Sequence, residues 1–299
     1  MINKLIVATL PIVPKSIVKI FAKRYIAGSE LTDAVNVTQS LMSQGGMSTI
    51  DVLGEFVEDK ARAIHEKEMS SKVIDAIAEY NLTSYLSIKP TSLGLGIDTE
   101  FGWQNISELA EKAKNLNIRI RLDMENSPYT DATLNLYRRL RNEGFDNIGF
   151  VIQAYMMRSE KDIRDLAEYK PNTRLCKGIY VEDASIAIKD KEEIRDNYKN
   201  LLELMLDSGY YVGIATHDES LITYAEQTIK KRKLTKDSYE FQMLLGVREE
   251  RRLKLLKAGY PLRVYVPFGS DWYGYSTRRL KENPQMAGHV FKSILGLNK

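Results

Sequence analysis

NIRIRLDMENSPYTDATLNLYRRLRNEGFDNIGFVIQAY, residues 117–155, decides the fold. It opens on a run rich in β-formers, 117–124, and closes on another, 147–155. Between them Thr130 and Asp131 start an amphipathic stretch that stops near Gly144, as helix boundaries demand. Strand, helix and strand in that order make a parallel βαβ unit. The same alternation continues on both sides. Further β-type runs lie at 47–54, 84–89, 173–180, 211–217, 239–245 and 262–268, which brings the total to eight. The intervening helices are read as starting from Asn105-Ile-Ser-Glu108 and running to Leu116, from Lys191 to Leu206 before Gly209, and from Arg248 to Ala258 before Gly259.

Eight such units in 299 residues predict a (β/α)8 TIM-type barrel. A doubly wound open sheet would usually carry G-x-G-x-x-G after its first strand. The nearest approach, Gly94-Leu-Gly96, has Thr99 at the third position, so that fold is set aside. No repeat, low-complexity tract or linker divides the chain. The expectation is one domain over 1–299: an N-terminal helical arm over 1–45, a barrel over 46–299, and a final helix over the barrel mouth.

Composition narrows the function. Apolar content of 43% and charged content of 28% describe a globular chain, and a net charge of +3 is too small to favour nucleic acid. A single cysteine, Cys176, excludes an internal disulfide and fits a reducing compartment. With three histidines and no ligand-type spacing, no metal is expected. The apolar run Leu5–Val13 is broken by Pro11 and is too short to span a bilayer, which takes about 20 residues. The basic amphipathic stretch that follows, with Lys15, Lys19, Lys23 and Arg24, reads first as a helix packed on the body. Its alternative is a peripheral membrane contact.

In a barrel of this type, chemistry sits at the C-terminal ends of the strands. Those ends present Glu55, Lys89, Asp123 with Glu125, Gln153, Arg174 with Lys177 and Tyr180, Thr216-His217-Asp218, and Tyr265, with every strand but the seventh delivering a polar group. Lys89, between Ile88 and Pro90, can bind an anion or, if desolvated, serve as a Schiff-base nucleophile. Asp123 and Glu125 are two apart on a strand, so both are expected on one face, either offsetting cations such as Lys89, Arg174 and the Arg278–Arg279 pair or serving only a structural charge network. His217 can donate to a cofactor oxygen or act as a general base. The run Lys230–Lys233 reads as a solvated helix end, and Cys176 as a buried small hydrophobe. After the last strand, Arg278 and Arg279 stand among Trp272, Tyr273 and Tyr275, a pattern suited to a small anion with an apolar body.

Taken together, SIKPTSLGL (87–95), RLDMEN (121–126), IQAY (152–155), RLCKGIY (174–180), ATHD (215–218), EFQMLLG (240–246) and YVPFG with YSTRRLKE (265–282) resemble the FAD-dependent proline dehydrogenases. The resemblance runs from about Leu53 to Glu282 and is to the monofunctional bacterial type. It implies oxidation of L-proline to 1-pyrroline-5-carboxylate by hydride transfer to N5 of FAD, with reoxidation by a quinone or other membrane electron acceptor. That is the first step of proline degradation to glutamate, in a cytoplasmic enzyme placed peripherally on the inner face of the membrane.

On this reading Arg278, Arg279 and Lys89 grip the substrate carboxylate, while Tyr265, Tyr275, Tyr180 and Leu244 enclose the ring. Asp123 orders the site. Arg174 lies near N5 and pairs with Glu55 as a gate, and Glu282 orients the Tyr265 and arginine cluster. Met124, Gln153, Arg174, Lys177, Gly178, Ile179, Thr216 and His217 hold the flavin, with Ile179 in place of the family's usual alanine.

Overall fold

The structure is a computed structural model, and it describes residues 23–273 and Ser276. All eight expected β-runs are strands: β1 (Met47–Val52), β2 (Ser84–Ile88), β3 (Ile120–Leu122), β4 (Ile148–Gln153), β5 (Asn172–Cys176), β6 (Tyr211–Ala215), β7 (Tyr239–Leu244) and β8 (Leu262–Phe268). Each pairs in parallel with its sequence neighbours, and β8 closes on β1 with Thr49 opposite Tyr265. The result is a closed (β/α)8 barrel. The strands end two to four residues earlier than several sequence runs predict, because the polar residues that close those runs turn out of the ladder into the mouth.

Helix α1 (Leu31–Ser43) precedes β1, and α2 (Lys60–Glu79), α3 (Thr99–Asn115), α4 (Thr130–Asn142), α5 (Ser159–Leu166), α6 (Lys191–Asp207), α7 (Glu219–Arg232) and α8 (Glu249–Lys257) connect successive strands. Helix α3 starts earlier than the Asn105–Glu108 signal predicts. Asp98 takes the N-cap position, accepting from the backbone N–H of Phe101 at 2.7 Å, which satisfies one of the donors a helix start leaves open. Asn105 falls inside the helix, where its buried amide donates to the Leu93 carbonyl at 3.0 Å. Carboxylates cap α2, α6 and α7 in the same way, through Asp59, Asp190 and Asp218.

Helix α1 packs on β8 and β1, where the barrel closes. Just before it, the chain crosses the strand ends: Ala27 N donates to Pro267 O at 2.9 Å, and Gly269 N donates to Gly28 O at 3.0 Å. The rest of the expected arm, residues 1–22, and the final helix over the mouth lie outside the described residues. The Lys230–Lys233 run is the end of α7, as the sequence suggests, with Lys233 in the left-handed conformation that terminates it.

One apolar core joins the inner faces of the helices to the barrel wall, from Ile50 and Leu86 through Phe150 and Val212 to Val264. The bore of the barrel departs from the usual branched apolar layers. Arg121, Glu240 and Arg263 are buried there. Arg263 donates to Glu240 Oε1 at 2.7 Å and to Ser48 O at 2.6 Å, with its guanidinium 3.5 Å from the Tyr85 ring centre. Arg121 donates to the carbonyls of Phe150, at 2.8 Å, and Asn172. Such charges are tolerated only because each finds a partner.

Candidate active site at the barrel mouth

A cavity of about 540 Å³ opens at the C-terminal strand ends. Its lining includes Glu55, Lys89, Asp123, Met124, Gln153, Arg174, Lys177, Gly178, Ile179, Tyr180, Thr216, His217, Leu244 and Tyr265, so fourteen residues singled out from the sequence converge on one space. Arg278, Arg279, Tyr275 and Glu282 lie outside the described residues.

Asp123 is the hub. Its carboxylate accepts from Arg174 Nη1 at 2.7 Å, Ser87 Oγ at 2.7 Å and the Tyr265 hydroxyl at 2.8 Å, with Lys89 Nζ 3.8 Å away. Burial opposes its charge, but Arg174 and Lys89 outweigh that and hold the group below the usual carboxylate range. Lys89 donates to Asp51 Oδ1 at 2.7 Å. Burial pulls the Lys89 ammonium down, yet Asp51 and Asp123 more than offset it, and its proton is held more firmly than in water. An ammonium set between two carboxylates is the opposite of the desolvated neutral amine that a Schiff-base lysine requires. Asp51 itself, fully buried, is pushed up to about 6 by burial and by the charge of Asp123.

Asp51 escapes pattern reading because it lies inside β1, one residue before its end, rather than beyond it. The expected shared face of Asp123 and Glu125 is corrected in part: both charges support the Lys89 ammonium, but only Asp123 lines the cavity. Strand β3 stops at Leu122, and Glu125 turns away to accept from Thr91 N at 3.0 Å and from Thr91 Oγ1 at 2.5 Å. Arg174 likewise makes its ion pair with Asp123 rather than with Glu55; its Nε donates to Gln242 Oε1 at 2.7 Å. The seventh strand therefore does deliver a polar group, Gln242, missed because its neighbours Phe241 and Met243 made the run read as core.

Another part of the lining is less ionic. Met124, Val151, Ala215 and Met243 give it an apolar face, and Gln153 donates from Nε2 to Met124 O at 3.3 Å. Lys177 is held at 3.0 Å by Asp218, which Arg195 also contacts at 2.7 Å. Against the cost of burial, Arg195 and Lys177 keep the Asp218 carboxyl well below its ordinary range. His217 Nε2 accepts from the Leu244 N–H at 2.9 Å, which places the proton of its neutral ring on Nδ1. Gly178 has φ +107°, and a Cβ there would lie 2.1 Å from the Tyr155 ring, so only glycine lets the chain turn past β5 at this point.

Beyond it, Tyr180 meets Phe56 edge-on at 6.4 Å, and Glu182 takes two bonds from Ser127, at 2.7 and 2.6 Å, tying the loop after β5 to the loop after β3. Cys176, expected in the core, is half-buried and lines the cavity.

Comparison with known proteins supplies the family in which this site belongs. The proline dehydrogenase family model covers residues 34–292. The chain belongs to the proline dehydrogenase family. Proline dehydrogenase 1 of Bacillus subtilis strain 168 is 40% identical over 274 residues, 92% of this chain and 90% of that protein. Proline dehydrogenase of Deinococcus radiodurans is 36% identical over 278 residues, again 92% of this chain and 90% of the relative. The crystal structure of proline utilization A from Bdellovibrio bacteriovorus inactivated by N-propargylglycine superimposes with a TM-score of 0.82 at 22% identity. That match covers 88% of this chain and 32% of the larger protein, and it shows the shared barrel. As a member of the family, the chain is an enzyme, and the cavity at its strand ends is where a proline dehydrogenase barrel would work.

Proposed function

We propose that the chain oxidises L-proline to 1-pyrroline-5-carboxylate on a noncovalent FAD, with residues 1–299 working as one unit. The observation that carries this reading is the Asp123 hub, which pairs with Lys89 and Arg174 beside an apolar, aromatic-lined cavity. An amino acid with a saturated ring needs both halves: cations for its carboxylate and apolar contact for its methylenes.

Lys89, with Arg278 and Arg279, grips the carboxylate. Tyr180, Leu244, Tyr265 and Tyr275 enclose the ring and keep water from it, and Glu55 and Glu282 orient the entrance. Fixing the ring at one end limits where its nitrogen-bearing carbon can lie, which is the main contribution positioning makes to rate.

The far wall fits a flavin by its donor set. Apolar side chains face a flat ring system, and Gln153, Lys177, Thr216 and His217 offer donors for carbonyl and phosphate oxygens. When bound, the flavin supplies a two-electron acceptor for the hydride that leaves the ring carbon beside nitrogen. Met124, Gly178 and Ile179 complete its seat. Arg174 spans the two halves of the cavity and stabilises negative charge that develops during reduction. Reoxidation by a quinone at the inner face of the membrane completes the cycle. Among the described residues no helix is long and apolar enough to cross a bilayer.

The test is an absorption spectrum. The purified protein should be yellow, and anaerobic proline should bleach the flavin band. Colourless protein that gains no activity with added FAD sinks the proposal.

A further inference from the structure

Gln242 lies in the cavity wall and takes no part in the chemistry described so far. Arg174 Nε donates to its Oε1 at 2.7 Å, and its own Nε2 donates to Glu240 Oε1 at 2.6 Å. The two ends of this amide are not interchangeable. Glu240 is fully buried and is held by Arg263 at 2.7 Å and by the Tyr211 hydroxyl at 3.0 Å. Beside the Arg263 guanidinium it stays ionised, and an ionised carboxylate only accepts. The amide nitrogen must therefore face Glu240, and the oxygen must face Arg174.

The space for this arrangement is built into β6. Gly213 stands in register with Arg174 on one side and Glu240 on the other. A Cβ at Gly213 would lie 2.4 Å from Gln242 Nε2 and 2.8 Å from its carbonyl carbon, so any larger residue would push the amide out of place.

We propose that Gln242 is a positioning residue that fixes the rotation of the Arg174 guanidinium, with Glu240 setting the direction of its amide and Gly213 making room for it. The inference rests on the reading of the cavity as a flavin and proline site. Asp123 takes one edge of the planar fork and Gln242 another, and two anchors on a rigid plane remove its freedom to roll. Nη2 is left without a partner among the described residues, free to meet charge that develops in the cavity. Without Gln242 the guanidinium keeps its bond to Asp123 and its place 5.1 Å from the Tyr265 ring centre, but loses the in-plane anchor on Nε that sets its rotation.

The test uses the FAD-loaded protein and two variants, Gln242→Met, which keeps the volume and removes both bonds, and Gly213→Ala, which removes no polar group and only displaces the amide. Both should reduce their flavin with saturating proline at least tenfold more slowly, while the KM for proline stays within threefold. The flavin midpoint potential, measured without substrate, should become more negative by about 30 mV, the equivalent of a tenfold shift for a two-electron couple. Either variant retaining its flavin with unchanged potential and reduction rate overturns the proposal, as does a rise in KM with the reduction rate unaltered. Wild-type protein that takes up no flavin overturns the underlying reading of the cavity and this inference with it, a result distinct from the others.

Discussion

The bore and the mouth of the barrel use the same residue types in opposite ways. In the bore, Arg121 and Arg263 direct donors to backbone carbonyls of Phe150, Asn172 and Ser48, so the strands themselves help to hold the charge, and Arg263 adds one ion pair with Glu240. At the mouth, Lys89 and Arg174 are held by side chains, Asp51, Asp123 and Gln242, each of which can be adjusted without disturbing a ladder. An arginine tied to the backbone is a structural strut. One tied to side chains at a cavity wall keeps a donor for something else. Burial alone would not separate the two groups, since Lys89 and Arg174 are nearly as buried as Arg263.

If that contrast is right, the largest effect on stability comes from the bore. Arg263→Met strands the Glu240 carboxylate in the interior and should cost about 3–5 kcal/mol, read as a lower urea midpoint. An unchanged midpoint would break the comparison at its base. At the mouth, Lys89→Met should fold with a smaller penalty, because Asp51 can take up a proton, but the KM for proline should rise by about 10–100-fold, the equivalent of a lost charge-assisted bond of about 1.5–3 kcal/mol. Steady-state kinetics beside a melting curve separates the two outcomes.

On the flavin wall, Lys177→Ala should weaken FAD binding by about tenfold while the KM for proline stays put, as expected for one charge-assisted bond. Titration of apoprotein by flavin fluorescence checks it, and an equal rise in KM would erase the division between the walls. Tyr265→Phe removes only the hydroxyl that donates to Asp123, and a three- to tenfold fall in kcat/KM corresponds to about 1 kcal/mol for a bond of that kind.

The smallest effect is the most diagnostic. The Asp51 carboxyl, raised to about 6, opposes folding above that pH, and the penalty is relieved as acid protonates it. The stability of wild type relative to Asp51→Asn should therefore increase between pH 7 and pH 5, measured by urea unfolding at each pH. A difference independent of pH would show that Asp51 titrates normally.

The sequence made the barrel legible because eight β-runs with helical spacers leave few other closures, and because polar residues at strand ends such as Gln153 and Thr216 break sharply with the apolar residues before them. What escaped were polar residues inside the runs. Asp51, Glu240 and Gln242 alternate with Ile50, Phe241 and Met243, and nothing local tells a buried charge with a distant partner from an outward-facing one. Their partners, Lys89, Arg263 and Arg174, come from other strands and meet them only once the barrel closes. Glu125 was misplaced for a related reason: two-residue spacing implies a shared face only while the strand lasts, and β3 is three residues long.

Gly213 extends the lesson to descent. Its missing side chain is occupied by an amide from the next strand, so the two positions form one volume shared between distant parts of the chain. Mutation cannot fill the one while keeping the other. Among relatives of this enzyme, a residue larger than glycine at the position of Gly213 should be accompanied by a shorter side chain at the position of Gln242, and a lineage that made this exchange would have had to find another way to steady its cavity arginine.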